Sequence, residues 1–378
     1  MARHYLDHAS TSPLRPEARA ALMEALDVVE GDPGRIHREG LTTRAVLEDA
    51  RDHVAAAFGA RSREVVFTSG GTESVVTAIA GCAAAAPGRP LVCSAVEHSA
   101  VRLAAERAGP VLSVAVDRTG RLDADEVAAL VDGLVADGTP PAVVCCQWAN
   151  HEVGTIQPVA QVVAACRERA VPVLVDAAQA AGREPIGFDQ LGADLLAISG
   201  HKLGAPAGTG ALLIRRGLRI PPLLVGGDQE RARRAGLENT LGAVALAAAA
   251  AVATADLDVR KADDERRSAV LRAALASIEG VELFGHPVHR LASLVCAGIA
   301  GVEPQAVLLE LDRAGIAAHS GSACASEGLE PSPVLEAMGV DAARSLRLSV
   351  GWSTTDDDVQ AAARALPTIV GDLRSLGA

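Results

Sequence analysis

Aromatic residues are almost missing: Phe, Trp and Tyr make up 2% of the 378 residues. The core must therefore be filled by Ala, Val, Leu and Ile. A basic surplus is missing as well. The formal net charge is −12, so the chain lacks the electrostatic footprint of a nucleic-acid binder and no direct nucleic-acid contact is expected. The seven cysteines have no regular spacing and form no Cys-x-x-Cys pair. That argues against a disulfide framework and against zinc held by cysteine, and it fits a reducing cytoplasm. No basic-then-apolar leader opens the chain; "MARHYLDHAS" is polar and reads as mature protein. The Ala-rich run at 241–257 nears the length of a membrane span, but Asp256 and Asp258 close it. A buried helix is expected there, and no membrane association.

What is present is the composition of a folded globular chain, 49% hydrophobic and 22% charged. Its length calls for a large domain plus a smaller one. Between about 17 and 255, short apolar runs alternate with helical patterns. Strands are expected at 64–69, 89–95, 111–116, 142–149, 171–177, 193–199 and 210–216. Their apolar residues run nearly without interruption, as in a sheet covered on both faces. The alternation predicts a mostly parallel, seven-stranded α/β/α sheet. A long helical stretch follows, roughly 238–279. A smaller α+β pattern comes next: strands "ASLVCAGIA", "IAAHS" and "SLRLSV", with helices from 303, 333 and 355. The expected division is a large domain over 15–255 and a small one made of 1–14 with 256–378.

In such sheets ligands bind beyond the carboxyl ends of the strands, and here those ends are polar. "FTSGGTES" (67–74) is a strand, a Gly-Gly turn and a helix start, whose free amides and Thr72 hydroxyl can cup a phosphate. It lacks the Gly-Lys-Ser/Thr of a P-loop, and a plain turn with an N-cap is the alternative. "LVDAAQA" (174–180) ends a strand on Asp176, with Gln179 three residues on. A carboxylate there needs a partner, such as a cationic heterocycle nitrogen, or else it caps the next helix. "AISGHKLGAPAGTG" (197–210) places Lys202 after a strand. A lysine used in Schiff-base chemistry must lose its proton although its reference pKa is about 10.4. Lysine, aspartate and a Gly-Thr cup at strand ends of one sheet are together the parts of a pyridoxal-phosphate site. In "HSGSACASEGLEPS" (319–332) a single thiol, Cys324, lies among small and turn-forming residues. A buried cysteine needs no such surroundings, whereas a thiolate that must travel does.

"YLDHAST", "FTSGGTES", "VEHSAV", "ANHEVGTIQP", "VDAAQ", "SGHKLGAPAGTGAL" and "SGSACAS…EPS" occur in order from residue 5 to about 352. In this the chain resembles the NifS/IscS-type cysteine desulfurases of the class V aminotransferase family, in the subgroup with the long cysteine loop. The resemblance implies the fold type I of pyridoxal-phosphate-dependent transferases and conversion of L-cysteine to L-alanine. A persulfide would form on Cys324 and pass to a protein sulfur acceptor, a scaffold or a sulfur carrier. It also implies a homodimer. Lys202 would carry the cofactor aldehyde, Asp176 pair with the ring nitrogen, and Gln179 bond the phenolic oxygen. His98 would stack on the ring and assist proton transfer. Gly71, Thr72, Ser199 and His201 would hold the phosphate, Arg347 would clamp the substrate carboxylate, and Cys324 would be the nucleophile. Iron–sulfur cluster assembly and thiolation both draw on this chemistry.

The chain departs from the family pattern in places. Asn150-His151-Glu152 stands where Asn-Asn-Glu is usual; His151 can donate a similar bond to cofactor and substrate but is larger and titratable. Leu237 replaces a threonine that in the family reaches the neighbouring subunit's phosphate, and "TESVV" and "GDPGRIH" also differ. These changes point to a specialised member. Another class V activity (selenocysteine lyase, β-lyase or aminotransferase) stays open, as does a non-catalytic partner of the same fold. "HPVH" (286–289) reads as a solvated turn.

Overall fold

The apolar runs are four or five residues long and flanked by Gly, Pro or polar residues, which favours strands over helices. In the computed structural model, which describes residues 3–320 and 331–376, these runs form one seven-stranded sheet. Its strands are β2 (Val65–Thr68), β3 (Leu91–Ser94), β4 (Val111–Val114), β5 (Val143–Gln147), β6 (Val173–Asp176), β7 (Leu195–Ser199) and β8 (Gly210–Ile214). They lie in the order β2-β8-β7-β6-β5-β3-β4. β8 is antiparallel to both neighbours and every other pair is parallel. Alternate residues serve opposite faces, as the pleat requires. In β7, Leu196 and Ile198 join one apolar cluster, and Leu195 and Ala197 join the other. Helices Arg38–Ala57, Val159–Glu168 and Thr240–Ala255 cover the first face. Helices Gly71–Ala85 and Ser99–Ala108 cover the second.

The Ala-rich run is helix Thr240–Ala255, largely buried. The expected long helix is in fact two. The chain bends by 75° into Leu257–Ala276, and Asp256 closes the first helix and opens the second. Among the described residues no single helix is long and apolar enough to cross a membrane. Beyond the bend, β10 (Leu294–Ile299) lies between β9 (Val281–Phe284) and β12 (Ser345–Ser349), antiparallel to both. A separate apolar cluster packs this sheet against helices Leu257–Ala276, Pro304–Arg313 and Asp356–Leu376. The amino-terminal β1 (His4–Tyr5) pairs in parallel with β11 (Ile316–Ala317), and Leu6 enters the same cluster.

One buried ion pair clamps the loop after β8 to the sheet. Arg51 meets Glu230 at 2.6 and 2.9 Å, and Glu230 also accepts the Phe67 amide at 3.0 Å. The pair holds Glu230, Arg231 and Ala232 at φ of 49, 58 and 59°, a region that side chains other than glycine seldom adopt. Both charged groups are almost fully covered, and without Glu230 the buried Arg51 would keep only Glu48 at 3.3 Å and the Val65 carbonyl at 3.0 Å. Glu230→Ala is expected to lower stability by about 3–5 kcal/mol, read as a fall in urea midpoint. An unchanged midpoint would show that the loop is held by other contacts.

Candidate active site

Strands β2, β6 and β7 run in one direction, so their carboxyl ends share an edge of the sheet. A cavity of about 410 Å³ opens there. Ten of the eleven residues singled out in the sequence line it: Gly71, Thr72, His98, His151, Asp176, Gln179, Ser199, His201, Lys202 and Arg347. The eleventh, Cys324, lies outside the described residues.

β2 ends at Thr68, and Gly70, at φ 154°, turns the chain into helix Gly71–Ala85. The first amides of a helix have no partner within it, and the helix dipole adds positive potential there. The turn is pressed against β8: a Cβ on Gly210 would sit 2.6 Å from Gly70 Cα. A side chain at 210 would therefore push the turn away. Glu73 steadies the turn from the other side, accepting the Ser69 amide at 2.7 Å and Arg234 Nε at 2.9 Å. The loop carrying Arg234 is the one held by Arg51 and Glu230. Ser199 ends β7 and faces Gly71, whose Cβ would meet the serine Cβ at 3.2 Å.

Lys202 follows β7 in the short helix Gly200–Leu203. Burial pushes its amine down to about 8; Arg347 and Arg183 act in the same direction, while Asp176 and Asp7 oppose. Arg183 also donates to the Gln179 and His8 carbonyls at 3.1 and 3.2 Å. Only a neutral amine attacks an aldehyde. The apo-protein is therefore expected to capture pyridoxal phosphate at a rate that rises with pH and levels off above about 8. Growth of the visible cofactor band measures it, and a rate still climbing toward about 10.4 would contradict a buried amine. The sequence contains only two lysines, and the other, Lys261, is paired with Glu184 at 2.7 Å.

Asp176 ends β6 and accepts the Ala178 amide at 2.9 Å. Burial raises its carboxyl, against the pull of that bond, Lys202 and His151. A carboxylate so placed is stabilised by a cationic N–H. Gln179 gives one amide proton to the Ala9 carbonyl at 2.8 Å, which leaves it a second to offer. His98 caps helix Ser99–Ala108, its Nδ1 accepting the Ala100 amide at 3.1 Å. The His98 ring meets that of His151 edge to face, centroids 4.8 Å apart. Burial lowers His98 to about 3, helped by His151 and Lys202. His201, beside Thr11 Oγ1 at 3.1 Å, is lowered to about 4 by burial, Lys202 and Arg183.

Arg347, on β12, is 3% exposed. It donates to the His151 carbonyl at 2.8 Å, Asp7 at 3.0 Å and Ser10 Oγ at 2.7 Å. Its Nε is buried without a partner among the described residues, as is His151 Nδ1. Asp7 and Ser10 belong to the quoted "YLDHAST", yet nothing local in that string shows that they fix an arginine 340 residues away. Glu152, Glu73 and Arg183 escaped the sequence reading for the same reason. His286, in "HPVH", accepts the Val288 and His289 amides, and no group of three or more metal-ligating side chains occurs among the described residues.

The donor set fits pyridoxal phosphate. Helix amides, Thr72, Ser199 and His201 suit the phosphate, Lys202 the aldehyde and Asp176 the ring nitrogen. Arg347 Nε, a buried donor with no partner among the described residues, suits a polar, anionic occupant. Burial, helped by neighbouring positive charge, lowers His98, His201 and Lys202, and an anionic ligand would favour their charged forms.

Comparisons with known proteins agree. Residues 4–362 match the class V aminotransferase family, whose members depend on pyridoxal phosphate. The chain is 38% identical over 382 residues to cysteine desulfurase IscS of Dictyoglomus turgidum, covering 98% of this chain and 95% of that one. It is 39% identical over 381 residues to cysteine desulfurase IscS of Methanosarcina thermophila, covering 98% and 93%. The crystal structure of a NifS-like protein from Rickettsia africae superposes with a TM-score of 0.88 at 27% identity, covering 98% and 99%. The chain belongs to the class V aminotransferase family and, within it, to the pyridoxal-phosphate-dependent cysteine desulfurases of the IscS/NifS type.

Proposed function

We propose that the protein takes the sulfur of L-cysteine onto Cys324, releases L-alanine, and passes the sulfur to an acceptor protein. One observation carries this: Lys202, Asp176, the start of helix Gly71–Ala85 and Arg347 line a single cavity. Bound pyridoxal phosphate would supply an electron sink that makes the substrate's carbon–sulfur bond breakable. Lys202 would hold it by the aldehyde, Asp176 by the ring nitrogen and Gln179 by the phenolic oxygen. Gly71, Thr72, Ser199 and His201 would hold the phosphate, with the His98 ring against its face. Arg347 would orient the substrate, its guanidinium fork matching a carboxylate. Cys324 as thiolate takes the sulfur. A carbon–sulfur bond breaks, a sulfur–sulfur bond forms, and the carbon keeps the electron pair and gains a proton. L-Cysteine plus thiol thus becomes L-alanine plus persulfide, with no outside oxidant or reductant.

Further parts of the proposal are a homodimer, a cytoplasmic location and a division into 15–255 and 1–14 with 256–378. Exposed Ile36, Val225 and Leu237 support a second copy. The six described cysteines, all free thiols, support a reducing compartment, and the bend at Asp256 supports the division. The net charge of −12 supports a protein acceptor over nucleic acid, and the IscS names of relatives support a role in iron–sulfur assembly. The test is incubation with L-cysteine alone. One persulfide per chain with matching L-alanine is expected; pyruvate and ammonia without persulfide would mean β-lyase chemistry instead.

A further inference from the structure

The two imidazoles over the cavity are wired differently. His98 Nδ1 accepts a backbone amide at 3.1 Å, so in the neutral ring the proton sits on Nε2. A second proton would have to displace the helix cap. His98 can therefore stack and donate from Nε2. His151 has the opposite arrangement. Its Nε2 lies 3.5 Å from Glu152 Oε1, and its Nδ1 is buried with no partner among the described residues. The ring is 6% exposed and lines the cavity.

Glu152 is itself fixed. Its Oε2 accepts Ser332 Oγ at 2.5 Å, and its amide donates to Asn150 Oδ1 at 2.8 Å. The His151 carbonyl is held by Arg347 at 2.8 Å. A carboxylate behind one imidazole nitrogen sets the tautomer and offsets the charge formed when the other takes a proton. Glu152 and Asp176 favour that imidazolium; Lys202 and Arg347 oppose it, and His98 lies edge-on.

We propose that His151, backed by Glu152, is a further acid–base residue of this chain's desulfurase reaction, beside His98. Its Nδ1 takes the proton that the ammonium group of L-cysteine must shed before its nitrogen can bond to carbon. The substrate N–H bond breaks, the pair stays on nitrogen, and an Nδ1–H bond forms opposite Glu152. A side-chain amide at 151, as the family pattern has, could not take that proton. The proposal rests on the desulfurase reading of the same cavity.

Two measurements on the holoenzyme test it. In ¹⁵N-histidine NMR, with the His151 signals assigned by their loss in His151→Asn, neutral His151 should carry its proton on Nε2 and gain the second on Nδ1. Finding the neutral-ring proton on Nδ1 would overturn the proposal. In kinetics, His151→Asn should keep the cofactor band, lower kcat on the order of 100-fold and lose the acid limb of its pH profile, with KM changed far less. Glu152→Gln should shift that limb. If wild type forms alanine and His151→Asn keeps both its rate and its profile, the proposal falls while the desulfurase reading stands. If wild type forms no alanine, both fall.

Discussion

Lys202→Ala is expected to lose the visible cofactor band and to slow alanine formation by about 1,000-fold or more. The reason is the state of the amine. Burial holds it near 8, so at pH 8 about half is neutral. A lysine at the reference value would be neutral in only about one molecule in 250. No other side chain in the cavity can replace it. Lys261, paired with Glu184, does not line the site, so Lys261→Arg should leave activity intact. Lys202 sits in a four-residue helix, and its loss leaves the three sheets untouched, so the folded protein should still be obtained. A Lys202→Ala protein that keeps both band and rate would remove the basis of the cofactor assignment.

The second large effect belongs to the thiol. Cys324→Ser is expected to abolish the persulfide and cut alanine formation on the order of 1,000-fold, while the cofactor band and L-cysteine binding persist. The other six cysteines are all buried and offer no substitute. Burial pushes Cys82 and Cys296 up to about 12 and Cys166 to about 11. Cys145 and Cys146 are raised well above the ordinary thiol range. A thiol must ionise to attack sulfur. In the native protein one cysteine, Cys324, should therefore react with iodoacetamide, and the Cys324→Ser protein should not react. The two variants separate two functions: the first loses the cofactor linkage, the second only the sulfur acceptor. Alanine formation unchanged in Cys324→Ser would show that Cys324 is not the sulfur acceptor and would favour another class V activity.

The central sheet was legible because its strands are buried on both faces and so read as unbroken apolar runs. β9 was not. In it Glu282 and Leu283 are exposed, so an edge strand of four residues between two glycines carries little pattern. The bend at Asp256 was hidden because helical periodicity continues on both sides of one polar residue. β1 is two residues long, too short for any period, whereas β11 was expected in "IAAHS" and spans only its first two residues, Ile316–Ala317. At the site, the strand-end groups were readable because each sits in a local string of Gly, Ser and Thr. What escaped was their support: Asp7 and Ser10 on Arg347, Ser332 on Glu152, Arg183 on the Gln179 carbonyl. Those contacts join residues far apart in the chain, or groups with no local motif. The family pattern placed His98 and His151 in the site; only the geometry shows that one ring is locked by a backbone amide and the other backed by a carboxylate.

Reduction of the holoenzyme with borohydride, followed by peptide mapping, goes most directly to the cofactor's place. The two lysines make the outcome unambiguous. A pyridoxyl adduct on the peptide containing Lys202, with Lys261 unmodified, is the result predicted. An adduct on Lys261, or none on either lysine, would contradict it.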